Sequence, residues 1–183
     1  MSLVILDRDG VINYDSDDYI KSAAEWRPIP GSLEAIARLS QAGFTVAVAT
    51  NQSGLSRGLF DLDDLEAMHA KMEELLHELG GHVAGVFYCP HRPQDQCGCR
   101  KPLAGLIDAI EAELGLSAQG APIIGDSLRD LEAGLAKGCE LILVRTGKGE
   151  KTLATLPADL QDQVAVFADL GAASDYLLSR NKT

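Results

Sequence analysis

The strongest constraint this chain places on its own fold is a series of short apolar, β-branched runs that do not alternate with polar residues. They are LVIL at 3–6, TVAVAT at 45–50, VAGVFYC at 83–89, APIIG at 121–125, ELILV at 140–144 and, more weakly, VAVF at 164–167. A strand with one solvated face alternates apolar and polar side chains, so unbroken runs mark strands covered on both faces. Between them lie stretches of helical periodicity at 31–43, 61–81, 102–115, 126–138 and 171–179, several closing on Gly, which most easily takes the left-handed helix cap. Strand and helix alternating through short loops imply right-handed crossovers and a parallel sheet between two helical layers, an α/β architecture of three layers. With no repeat, low-complexity tract or long linker, residues 1–183 read as a single domain.

Composition removes whole classes of function. Apolar residues make up 46% and charged residues 23%, and no apolar stretch approaches the roughly 20 residues that would span a bilayer, so no membrane association is expected. The first strand begins at once, with no basic segment, apolar segment and cleavage site before it, and a cytoplasmic location is the expectation. A formal charge of −11 argues against a nucleic-acid partner, because phosphate backbones are held by clustered Lys and Arg. An anionic small ligand would need the few basic residues gathered locally.

Parallel sheets collect their ligands beyond the carboxyl ends of the strands. There the first run leads into Asp7 and Asp9, the second into Thr50, Asn51, Gln52 and Ser53, the third into a cysteine cluster followed by Arg100 and Lys101, and the fourth into Asp126 and Ser127. Any one of these has a bland reading: an Asp after a strand is often a helix N-cap, and Asp126 before SLRDLEAGL could be only that. Three carboxylates in one cleft, however, repel one another and raise each other's pKa unless a cation joins them, and a hard divalent ion such as Mg²⁺ resolves the conflict. A metal and a lysine facing a carboxylate nucleophile are the equipment of phosphoryl transfer. In this reading Asp7 attacks phosphorus, while Asp9 protonates the leaving oxygen and later activates water.

The segment CPHRPQDQCGC places Cys89, His91, Cys97 and Cys99 in a turn-rich loop, a set able to surround Zn²⁺ tetrahedrally. With all four positions filled by protein the site is expected to be structural. Because Cys99 is followed at once by Arg100 and Lys101, fixing its sulfur would fix those two cations. Cys139 lies outside the cluster and reads as a small core residue.

DRDG, TNQSG, CRKP and GDSLRD, each after a strand and in this order, resemble the four signature segments of the haloacid dehalogenase superfamily of phosphatases. Within it DRDGVIN, ATNQSGLSRG, YCPH…CGCRKP and LVRTGKG resemble the D-glycero-D-manno-heptose 1,7-bisphosphate 7-phosphatases of lipopolysaccharide-precursor synthesis, over residues 3 to 149. The resemblance implies a HAD-like, doubly wound Rossmannoid fold. It implies Asp7 as nucleophile, Asp9 as acid and base, and Mg²⁺ held by the Asp7 carboxylate, the Asp9 backbone carbonyl and Asp126. Thr50 and Lys101 would bind the transferring phosphoryl group, Asn51, Gln52 and Ser53 would line the site, and Arg100 and Ser127 would meet substrate. Asp130 reads as a supporting or helix-surface carboxylate. DSDDYI carries one residue more than the D-x-x-Y form seen in relatives, and neither inter-motif stretch has room for the separate cap domain that many relatives carry.

A sugar bisphosphate needs a second anion site, for which Arg57, Arg100, Arg145 and Lys148 are the candidates, and Arg57, just past the phosphate-binding loop, is the chosen one. The expected protein is a monomer. Three alternatives stand beside this reading: a histidinol-phosphate phosphatase, a nucleic-acid 3′-phosphatase and a non-catalytic zinc-loop binding module. The last would have no need to keep Asp7, Asp9, Lys101 and Asp126 together.

Overall fold

The computed structural model describes residues 2–181. Six strands, β1 (Ser2–Leu6), β2 (Phe44–Asn51), β3 (Gly85–Cys89), β4 (Pro122–Gly125), β5 (Glu140–Val144) and β6 (Val164–Phe167), form one sheet in the order β3-β2-β1-β4-β5-β6 with every pairing parallel. The chain winds outward from β1 to β3, then returns to β4 on the other side of β1. The reversal leaves a crevice at the carboxyl ends of β1 and β4, where sheets of this kind bind ligands.

Among the described residues seven α-helices cover the sheet: α1 (Ser32–Gln41), α2 (Leu62–Glu78), α3 (Gly105–Leu114), α4 (Leu128–Ala136), α5 (Gly149–Ala154), α6 (Ala158–Gln161) and α7 (Leu170–Arg180). Successive strand residues point to opposite faces, so Val4 and Leu6 join a core with α1, α2 and α7, whereas Leu3 and Ile5 join a second core with α3, α4 and Leu160 of α6. β1 carries both cores at once, which is why its run cannot alternate. The edge strands differ: the residues of β6, and all of β3 but Cys89, are only half-buried, because no neighbouring strand covers one side.

Boundaries shifted where local chemistry overrides periodicity. The helix expected from 102 begins at Gly105, since 101–104 is taken up by a turn and a bend. The helix expected from 126 begins at Leu128, with Ser127 at its N-cap. The short helices α5 and α6 were not anticipated, each spanning too few turns to show a period. Residues 7–31 contain turns, bends and isolated bridges but no helix, so no cap domain stands over the crevice.

Candidate active site

The carboxyl ends of β1, β2 and β4, with the segment after β3, open on one cleft of about 210 Å³. Asp7, Asp9, Thr50, Asn51, Gln52, Ser53, Arg100, Lys101, Asp126 and Ser127 all line it, so the residues expected at the strand ends converge. Lys101 is the hub. Its Nζ donates to Asp7 Oδ1 at 3.0 Å, Asp130 Oδ1 at 2.5 Å and the Ala49 carbonyl at 2.7 Å, and its side chain is 3% exposed. Burial works against the ammonium, yet Asp130 and Asp7 raise its pKa above the ordinary lysine value, and it stays charged.

The carboxylates are not equivalent. Burial first, then Asp130, pushes the Asp7 carboxyl well above the usual range, with Asp126 and Asp9 adding to the rise and Lys101 opposing it. Burial and Asp130 likewise bring Asp126 up to about 6. Asp9 goes the other way: burial alone would raise it, but the Arg8 guanidinium and the amides of Asn13 and Gln52 hold it below the usual value. Asp9 Oδ1 accepts from Arg8 Nε (2.9 Å), Arg8 Nη2 (2.7 Å) and Asn13 Nδ2 (2.8 Å), whereas Oδ2 accepts only from Gln52 Nε2 (3.0 Å). Oδ2 therefore keeps room for a proton.

Asp126 is not a helix cap. Its carboxylate accepts from the Lys148 backbone N–H at 2.9 Å, and the carboxylate is wedged between Gly10 and Gly147, where any Cβ would collide with Oδ2. Both glycines also have positive φ, 86° and 58°, so glycine is required there twice over. Asp130 is buried at 1% exposure and accepts from the Ser127 Oγ (2.9 Å) as well as Lys101, inside the site rather than on the helix surface. Carboxylate oxygens of Asp7, Asp126 and Asp130 lie within 4.8 Å of one another, an all-oxygen set suited to a hard divalent cation.

Ligand atoms of Cys89, His91, Cys97 and Cys99 also lie within 4.8 Å of one another. Cys89 Sγ stands 3.6 Å from Cys97 Sγ and 3.5 Å from His91 Nδ1, and His91 Nδ1 stands 3.3 Å from Cys99 Sγ, near the spacing of roughly 3.5–3.8 Å between ligands of a tetrahedral zinc, whereas the Cys89 and Cys99 sulfurs are closer, at 2.8 Å. The loop is tied to the cleft: Arg100 Nη1 donates to the His91 carbonyl (3.2 Å), and Asn51 exchanges hydrogen bonds with the Lys101 backbone at 3.0 and 3.1 Å.

Arg57 stands apart from the expectation. It is exposed and absent from the cleft lining, with its guanidinium 5.9 Å over the ring of Tyr19, which does line the cleft. Arg129, not anticipated, lines the cleft close enough to Arg100 to lower its pKa, though burial is the larger cause. Only its place at the start of a helix after GDS pointed to it in the sequence, and a surface arginine reads the same way.

Residues 3–126 match the polynucleotide kinase 3 phosphatase family, and residues 98–173 match the HAD-hydrolase-like family. The chain is 56% identical over 177 residues to the D-glycero-beta-D-manno-heptose-1,7-bisphosphate 7-phosphatase of Pseudomonas aeruginosa, covering 97% of this chain and 98% of that one. It is 49% identical over 181 residues to the enzyme of the same name from Neisseria meningitidis serogroup B, covering 99% and 97%. The crystal structure of D,D-heptose 1,7-bisphosphate phosphatase from B. bronchiseptica, complexed with magnesium and phosphate, superposes with a TM-score of 0.93 at 52% identity, over 98% of this chain and 99% of that one. These likenesses run the length of both partners: the chain belongs to the HAD-like phosphatases and, within them, to the D-glycero-beta-D-manno-heptose-1,7-bisphosphate 7-phosphatase family.

Proposed function

We infer that the protein is a magnesium-dependent phosphoric monoester hydrolase that removes the C7 phosphate of D-glycero-D-manno-heptose 1,7-bisphosphate, in the synthesis of the lipopolysaccharide core precursor. The observation that carries this reading is the convergence of Asp7 and Asp9 with the Lys101 ammonium, 3.0 Å from Asp7, on one open cleft. The full-length likeness to heptose bisphosphate phosphatases supports the substrate.

Magnesium would be held by the Asp7 carboxylate, the Asp9 backbone carbonyl and Asp126, and the burial, with the crowding of carboxylates second to it, that raises Asp7 and Asp126 is the strain a cation relieves. Bound there, it neutralises charge on the oxygens of the phosphoryl group. Lys101 and Thr50 hold the remaining oxygens. An Asp7 carboxylate oxygen forms a bond to phosphorus as the bond from phosphorus to the sugar's O7 breaks, and Asp9 Oδ2 delivers its proton to O7. A phosphate dianion beside Asp9 raises the pKa of that carboxyl and so supplies the protonated form. Water then attacks the aspartyl-phosphate, Asp9 takes its proton, and Asp7 and inorganic phosphate are regenerated.

Zinc on Cys89, His91, Cys97 and Cys99 would fix the loop that presents Arg100 and Lys101. Among the described residues Arg100 and Arg129 line the cleft without an ion pair, so their guanidiniums are the better-placed clamp for the distal C1 phosphate, with Arg57 acting through Tyr19. Ser127, Asn51, Gln52 and Ser53 complete the wall. The protein would work as a one-domain monomer in the cytoplasm, where a sugar carrying two phosphate groups is retained by its negative charge.

A second reading, removal of a 3′-phosphate from nucleic acid, has only the family match over residues 3–126 behind it and is opposed by the net charge of −11 and by the full-length likeness to heptose bisphosphate phosphatases. Phosphate release is measured from heptose 1,7-bisphosphate, histidinol phosphate and 3′-phosphorylated DNA, with and without Mg²⁺. The heptose reading requires the first substrate to win by kcat/KM and to depend on the metal. Preference for either other substrate overturns it.

A further inference from the structure

We propose that His69 is a positioning residue for proton transfer, acting on Asp9 through the buried guanidinium of Arg8. The proposal rests on the reading of Asp9 as the proton-transferring group and adds a residue to it from outside the cleft.

Just past the end of β1, Asp7 and Asp9 line the cleft, whereas the Arg8 side chain is buried against Met68 and His69 of α2. Arg8 is 0% exposed, a charge that can stay buried only if its donors are met. Nε and Nη2 are spent on Asp9 Oδ1. Nη1 points the opposite way, 3.2 Å from His69 Nε2 and 3.6 Å from the Met68 sulfur. A thioether is a weak acceptor, so the imidazole is the group that holds that end of the fork.

α2 places it there by its own periodicity. Leu65, Met68, Met72 and Leu76 form the buried stripe, and His69, one turn after Leu65, flanks it half-buried. Because Arg8 can only donate, His69 must offer a lone pair from Nε2 and carry its proton on Nδ1. Burial and the Arg8 charge lower its pKa to about 4, which keeps the ring neutral in that form.

The consequence falls on one oxygen. The guanidinium and Asn13 saturate Asp9 Oδ1, so the carboxyl is oriented with Oδ2 toward the reacting atoms. Without an acceptor at His69, Nη1 of a buried charge loses its partner, and the fork is free to rotate off Asp9. Misplacement of this kind costs up to about 10²-fold in rate.

The test exploits leaving-group chemistry. His69→Leu removes the acceptor while staying apolar, and His69→Gln restores one. Expected for His69→Leu is a fall of about tenfold or more in kcat/KM for the sugar bisphosphate. The fall should be under about twofold for p-nitrophenyl phosphate, whose leaving group needs no proton. KM for the sugar should be little changed, and His69→Gln should recover most of the loss. Asp9→Asn is run alongside as the control for the underlying reading. If Asp9→Asn lacks this leaving-group dependence, the acid role of Asp9 fails; if Asp9→Asn shows it and His69→Leu does not, the proposal alone fails. An equal fall on both substrates also overturns it, since that is the mark of a merely structural role. Should His69→Leu not fold, long-range ¹H–¹⁵N spectra of the wild-type protein decide: a neutral ring protonated on Nδ1 supports the proposal, and a proton on Nε2 at neutral pH overturns it.

Discussion

The acidic rim of the cleft and the cysteine loop beside it position neighbouring residues by opposite means. At the rim, Lys101 and Asp130 have side chains 3% and 2% exposed, and Asp7 and Asp126 issue from the paired central strands β1 and β4. The backbone there cannot give way, so the fold can hold like charges together against their repulsion. In the loop, His91, Cys97 and Cys99 are half-buried, and the sole regular element between β3 and α3 is a 3₁₀ turn at Pro93–Asp95. That stretch brings Cys89, His91, Cys97 and Cys99 to one point, where a bound ion would hold its shape. Sheet-borne sites can store electrostatic strain, and loop-borne sites need an external clamp.

The largest effect should come from breaking the rim chemically without breaking it structurally. Asp7→Asn is expected to abolish turnover while raising the melting temperature of the metal-free protein, because burial, Asp130, Asp126 and Asp9 together outweigh Lys101 in penalising the Asp7 charge. A variant that hydrolyses the sugar ester at the wild-type rate, or melts lower, contradicts this account of the rim.

Removal of zinc addresses the other region. Chelation in the presence of Mg²⁺ should lower kcat about 10- to 100-fold while far-UV circular dichroism stays nearly unchanged, since the six strands do not depend on the loop. A zinc-free, folded sample with undiminished turnover would show that the loop places Arg100 and Lys101 unaided.

The rim also sets a pH dependence. In the metal-free fold, Asp126 sits near 6 and Asp7 is raised as well, so between the unfolded value of 3.8 and about 6 the native state binds more protons than the unfolded chain. Stability of the metal-free protein therefore contains a contribution that falls as pH rises through that window, and magnesium, competing with those protons, binds more tightly as pH rises. Calorimetric titration should show affinity dropping by about tenfold per unit below pH 6. A flat profile from pH 5 to 7.5 removes crowding as the reason the site wants a cation. His69, held near 4, contributes with the opposite sign, and comparing with His69→Gln separates the two.

The smallest effects lie at the mouth of the cleft. Arg129→Ala should raise KM for the bisphosphate by about tenfold, the value of one charged hydrogen bond, and leave a monophosphate substrate within twofold. Arg57→Ala should do the same more weakly, because its guanidinium reaches the cleft through Tyr19. Equal shifts on both substrates would remove either residue from distal-phosphate recognition.

How much of this was legible beforehand depended on the range of the interaction. The unalternated runs revealed the sheet because burial on both faces leaves a local signature, and the edge strands β3 and β6 blurred that signature for the same reason. Residues directly after strands could be listed as site candidates because parallel topology sends strand ends to a common rim. Asp130 could not be placed, since a carboxylate three residues into a helix pattern reads alike whether it faces water or Lys101. Arg8, between two acids, carries no local sign of which partner its guanidinium takes, and His69 offers only a lone histidine in an amphipathic helix.

What the sequence determined by itself is the kind of fold and the candidate reacting groups and metal ligands at the strand ends and in the cysteine loop, because these depend on side-chain chemistry and on spacing within one segment. What only the tertiary structure decided is which partner each buried charge has: Lys101 with Asp130, Asp126 between two glycines, Arg8 between Asp9 and His69. Such pairings join residues from different strands and helices, and their energy comes from desolvation, which exists only once the core has closed.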